Sequence, residues 1–180
     1  MLSLALDSLL LLALTVAAPD QPLPPNHGNE VWAFSDLMTS FREADVAEIY
    51  IIRRSIEFRI SPRPNTVRAI GCRYRVYRAT PEWEELEREL AEGAVQISPA
   101  AGDSEVRIAL ILGDRRGTLR EVYSRWPHGS ETIVNGYSQR RPAAISSNFA
   151  RAMQAFTANH PELAEAPATA IPVCTPDPAL

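Results

Sequence analysis

The chain predicts an α+β domain: a curved, mainly antiparallel sheet of five to seven strands with two or three helices packed on one face. Three patterns carry that prediction. Apolar and polar residues alternate over several short runs, helical spacing of apolar residues appears between them, and Gly- or Pro-bearing turns separate the two. With 180 residues, 46% of them hydrophobic and 22% charged, the chain has the size and apolar content of one folded domain.

Ser35 is placed to cap a helix through Ala44 that turns Leu37, Met38 and Phe41 inward. Residues 46–52 are apolar except for Glu48 and read as a central strand. A second strand is predicted over 55–60, where Ile56, Phe58 and Ile60 alternate with Glu57 and Arg59. Pro62, Pro64 and Asn65 then turn the chain. The alternation resumes over 66–78, setting Ile70, Cys72, Tyr74 and Val76 against Arg73, Arg75 and Tyr77. Helix 81–92 has Thr80 as its cap and Pro81 at its first position, with Trp83, Leu86 and Leu90 as its inner stripe. Gly93 ends it, and its six glutamates make an acidic outer face.

Strands are expected at 105–112 and 118–124 around the turn Gly113-Asp114-Arg115-Arg116-Gly117. A loop holding Trp126, Pro127 and His128 leads to a strand at 131–134, which Asn135-Gly136 turns back. Ser146 or Ser147 then caps a helix with Phe149, Ala152, Met153 and Phe156 on one side. Three strands and a helix, met twice, suggest a duplicated βββα layout.

Residues 1–17 read as a signal peptide: leucines dominate, and Thr15-Val16-Ala17 suits signal peptidase. A Pro-rich linker at 18–30, the domain at 31–160 and a Pro-rich tail at 161–180 complete the division. Export to the periplasm or beyond agrees with the two cysteines, Cys72 and Cys174, which as a disulfide would tether the tail to a strand. The alternative is a buried Cys72 and a free Cys174. The apolar opening is too short, and too interrupted by Asp7, for a permanent membrane anchor.

All eighteen basic residues are arginine. Without lysine, the chain cannot form a Schiff base, complete a Walker A loop or offer a Ser-x-x-Lys dyad. A net charge of −4 argues against nucleic acid as a partner. The three histidines, His27, His128 and His160, fall at no ligand spacing, and no cofactor or metal is implied.

Charge placement supplies the candidate site. Arg59, Arg73, Arg75, Arg107 and Arg120, with Tyr77 among them, fall at out-facing strand positions and would merge into one guanidinium-rich face. Such a face suits an acidic protein partner; the plainer alternative is a solvated surface whose arginines pair with Glu57, Glu105 and Glu121. Trp126 and His128 in the proline-stiffened loop offer a second contact, although Trp126 fits a buried cap on the core equally well. The functional expectation is an exported, non-enzymatic binding protein, of the inhibitor or immunity type. Two alternatives stand beside it: a small envelope hydrolase or thiol-dependent enzyme using either Cys72, with His128 as its base, or a carboxylate pair that the sequence does not single out, and a cytoplasmic structural or assembly subunit.

Overall fold

A computed structural model describes residues 34–93, 95–100, 105–167 and 174. The predicted signal peptide, the linker and most of the tail lie outside the described residues.

The fold is α+β, but the expected strand count, helix count and curvature are corrected. Among the described residues, one open eight-stranded sheet, neither closed nor curled, accompanies four α-helices. In chain order the elements are α1 (Phe34–Glu43), β1 (Val46–Ile51), α2 (Pro64–Ile70), β2 (Cys72–Tyr77), α3 (Pro81–Glu92) and β3 (Ile97–Pro99). The strands β4 (Ile108–Asp114), β5 (Gly117–Ser124), β6 (Ile133–Ser138) and β7 (Arg141–Ser146) follow, then α4 (Ser147–Asn159) and β8 (Ala164–Glu165). Across the sheet the order is β3-β7-β6-β5-β4-β1-β2-β8, antiparallel at every pairing. Among the described residues there is no βββα duplication: helices and strands alternate in the first half, whereas the second half is a four-strand meander closed by α4.

Three helices cover one face. Leu37 and Phe41 of α1, Trp83 and Leu86 of α3, and Phe149 and Phe156 of α4 pack with Ile49, Leu110, Val122 and Ile145 of the sheet. Each such side chain contributes roughly 1.5–3 kcal/mol when fully buried. The Phe41 and Trp83 rings meet at 4.2 Å between centroids, which joins α1 to α3. Thr80 caps α3 as expected, its Oγ1 accepting the Trp83 N–H at 3.3 Å. At the other end Asn148 Nδ2 donates to the Gly93 carbonyl at 2.6 Å, so an α4 side chain satisfies a terminal α3 acceptor.

The opposite face carries the corrections. Residues 55–60 form no strand, because β1 already pairs with β2 on one edge and β4 on the other. The segment instead lays Ile56 and Phe58 over Tyr50, Ala109, Ile111 and Tyr123, and leaves Ile60 83% exposed. The expected strand at 66–78 begins only at Cys72, since Pro64 starts α2 and Val67 is its buried contact. Val67 and Ile70 satisfy a three-residue spacing as readily as strand alternation, an ambiguity inherent in short apolar runs. The second face is therefore covered in part by a helix, and the helices do not share one side.

Turn placement is right once and wrong once. At β4–β5, Asp114 Oδ1 accepts the N–H groups of Arg116 and Gly117 at 2.7 and 3.0 Å, and Gly117 takes φ 138°. Asn135-Gly136, by contrast, lies inside β6, and the chain reverses at Gln139-Arg140 with φ 49° and 62°.

Candidate binding site

Strand register explains which side chains share the second face. Glu165, Arg73, Tyr50, Ala109, Tyr123 and Tyr137 stand in one row across β8, β2, β1, β4, β5 and β6. A parallel row runs Arg75, Glu48, Ile111, Glu121. Two residues along a strand keep the same face, so the rows are adjacent.

Among the expected site residues, Arg73, Arg75 and Tyr77 do share this face, within a ladder of opposite charges. Arg75 Nε and Nη2 donate to Glu48 Oε1 at 3.1 and 3.0 Å, and Tyr50 donates its hydroxyl to Glu48 Oε2 at 2.9 Å. Arg73 Nε donates to Glu165 Oε2 at 2.8 Å, and its Nη2 engages the same oxygen. The Arg73 guanidinium holds the Glu165 carboxyl below the usual carboxylate range. Tyr77 is 54% exposed at the end of the ladder.

Arg107 is a fastening for the covering segment. Its Nη1 donates to the carbonyls of Arg53 and Ile56 at 3.1 and 2.6 Å, its Nε pairs with Glu105, and its guanidinium carbon lies 5.1 Å from the Phe58 ring centroid. Arg120 belongs to the other face: its Nε reaches Ser40 Oγ of α1 at 3.4 Å, while its neighbours Glu121 and Tyr123 occupy the second face. Arg59 sits exposed in the segment 55–60 and in no strand. The single five-arginine face is thus corrected. Both faces of this sheet are partly covered, so alternation alone does not say which side meets solvent.

Arg107, Trp126 and His128 are brought together around a cavity of ≈ 390 Å³, whose lining also includes Arg54, Glu105 and Arg125. Trp126 is buried at 5% exposure and donates its indole N–H to the Ile52 carbonyl at 3.0 Å. Arg54 lies over its ring, 4.9 Å from the centroid. The rim loop is preorganised by Glu131, whose two oxygens accept from Arg125 Nη1 and Nη2 at 2.8 Å each. Glu131 also accepts the His128 backbone N–H at 2.8 Å. Arg125, then the His128 N–H, pull its carboxyl down to about 2. The His128 residue itself is exposed on the rim.

Sequence reasoning missed Arg54, Arg125, Glu48 and Tyr50. Glu48 did carry a signal, as the one acid in an otherwise apolar strand. Arg54 and Arg125 follow the ends of β1 and β5 in irregular chain, where no periodicity exists to orient them.

Cys72 and Cys174 form a disulfide, with Cα atoms 5.5 Å apart. No free cysteine remains among the described residues, so the thiol-dependent alternative lacks its nucleophile. The bond agrees with an oxidising, extracytoplasmic setting and disagrees with a reduced cytoplasm. Among the described residues no helix is long and apolar enough to cross a membrane, and no group of His, Cys, Asp or Glu is arranged to hold a metal ion. No family model, no curated protein sequence and no solved structure matches the chain.

Proposed function

We propose that this chain is an exported, non-enzymatic binding protein that holds an acidic protein partner, as an inhibitor or immunity-type partner of a secreted enzyme would. The observation that carries the reading is the cavity beside the 125–130 loop, whose lining brings together Arg54, Arg107 and Arg125 with Glu105, the carboxylate that Arg107 holds. The guanidiniums of Arg54, Arg107 and Arg125 against the carboxylates of Glu105 and of Glu131, which Arg125 already holds, leave the site one positive charge in excess. The disulfide and the Glu131-braced loop support it, because a surface ordered before encounter loses less entropy on binding. The mechanism is occlusion: acidic side chains of the partner enter the cavity, with His128 on the rim and Arg73, Arg75 and Tyr77 as a second patch. Charges on a rim chiefly steer association, so the on-rate should fall steeply with salt.

The test is capture from envelope extract by purified mature protein, followed by kinetics with the isolated partner. A stoichiometric acidic partner whose on-rate falls with ionic strength, and whose affinity drops about tenfold or more in an Arg54→Ala, His128→Ala variant, supports the reading. Salt-insensitive binding, or affinity unchanged in that variant, overturns it.

A further inference from the structure

We infer that Glu165 is an internal competitor occupying Arg73, and that the adjoining cavity binds a carboxylate group of the acidic partner once Glu165 swings away. This rests on the reading above and assigns a second site to it. The cavity, ≈ 360 Å³, opens between the end of α2 and the segment after β8, and Tyr50, Arg68, Gly71, Arg73 and Glu165 are among its lining residues.

Three observations carry the inference. Glu165 meets Arg73 through a single oxygen, Oε2, which takes both the Nε and Nη2 contacts, while Glu48 Oε1 stands farther off, 3.8 Å from Arg73 Nη1. A carboxylate arriving with both oxygens would make the fork-to-fork pair that Glu165 does not, and would gain Arg68 as a second guanidinium. Arg68 stands at the cavity wall: its side chain is 41% exposed, and it is held there by Glu121 at 3.6 Å and by the Tyr123 hydroxyl. Glu165 is weakly seated, since β8 is two residues long and the Glu165 side chain is 47% exposed.

The disulfide explains how so slight a strand stays in place. Cys174 is bonded to Cys72, the β2 residue next to Arg73, and its Sγ lies 3.8 Å from the Glu165 carbonyl oxygen. Glu165 therefore competes as a tethered group, at a high effective concentration that the disulfide maintains. A partner carboxylate must outcompete it, so only a partner with a well-placed acidic residue opens the site. Glu165 thereby confers specificity, at some loss of affinity.

The test uses the mature protein and a blocked hexaglutamate peptide as probe, titrated by calorimetry, with circular dichroism confirming that every variant stays folded. Glu165→Gln should bind the peptide about fivefold or more tighter than wild type. Adding Arg73→Ala to Glu165→Gln should remove that gain, and adding Arg68→Ala should reduce it. Treatment with a dithiol, which is oxidised to its cyclic disulfide as Cys72 and Cys174 become thiols, should tighten binding in wild type and leave Glu165→Gln unchanged. Equal affinity of wild type and Glu165→Gln overturns the inference, as does a gain that persists without Arg73. Either result leaves the Arg54 and His128 cavity to be judged by its own variant, so the two failures are distinguishable.

Discussion

Trp126 and Ile52 are joined by one hydrogen bond, indole N–H to backbone carbonyl at 3.0 Å, although 74 residues separate them in the chain. The bond fixes the start of the 125–130 loop against the end of β1, where the chain leaves the sheet. The same indole supports Arg54 from below. An exposed tryptophan would have served as a contact for a partner; this one supports the cavity from beneath.

Trp126→Phe should cost about 1–3 kcal/mol, since the Ile52 carbonyl is left without its donor in a buried position. Trp126→Ala should cost more, about 3–5 kcal/mol, from lost packing. Urea unfolding of both variants checks the order. A change below half a kcal/mol in either would contradict a buried, bonded indole.

Removing the disulfide, as Cys72→Ala with Cys174→Ala, should destabilise the domain by about 2–5 kcal/mol. The bridge spans 102 residues of sequence, and a closure of that length strongly restricts the unfolded chain. Denaturant midpoints of the oxidised protein, the dithiol-treated protein and the double variant measure it, and the last two should coincide closely.

His160 gives the fold a pH dependence. Burial works against its charge, but Glu85 and Glu162, each at 3.1 Å, outweigh burial and raise its pKa. A raised folded value means that the stabilisation is complete below the ordinary histidine pKa and fades as pH climbs through the folded one. Glu85, lowered by Asn159 and then by His160, acts in the opposite sense and loses its contribution as pH falls through its depressed value. The stability gap between wild type and His160→Ala should therefore be widest at mildly acidic pH, and should narrow toward pH 9 and in strong acid. Urea midpoints across that range check it; a gap that widened with rising pH would refute the assignment.

Gly136→Ala should be poorly tolerated. A Cβ there would stand 2.0 Å from the Tyr123 carbonyl oxygen and 2.8 Å from Ile145 Cδ1; the Ile145 tip can turn aside, but β5 and β6 would have to part. Overpacking of this kind costs about 1–3 kcal/mol or more. Thermal melting should show it. Gly117→Ala, where a Cβ meets nothing within 4 Å, should instead suffer only from its φ of 138°.

The Gly136 contact also shows why one turn was misplaced. Asn-Gly is a strong hairpin signal when the glycine is needed for its backbone freedom. Here the glycine is needed for its missing side chain, between Ser124 of β5 and Ala143 of β7. The reversal falls instead on Gln139 and Arg140, which take positive φ without being glycine. Nothing local in their identity announces that.

What the sequence determined by itself is what short-range chemistry decides. Thr80 and Pro81 start α3, and Asp114 and Gly117 close the β4–β5 hairpin, because each depends on partners a few residues away; the sequence offered Cys72 and Cys174 as the one bridge within the chain, and the structure decided that it forms. Only the tertiary structure decided whether residues 55–60 pair as a strand, which face Arg120 takes, and that Arg54, Arg107 and Arg125 meet. Those outcomes depend on free strand edges and on what covers each side of the sheet. Both are set by neighbours 50 to 80 residues distant, as in the contacts of Arg107 with Ile56 and of Arg120 with Ser40.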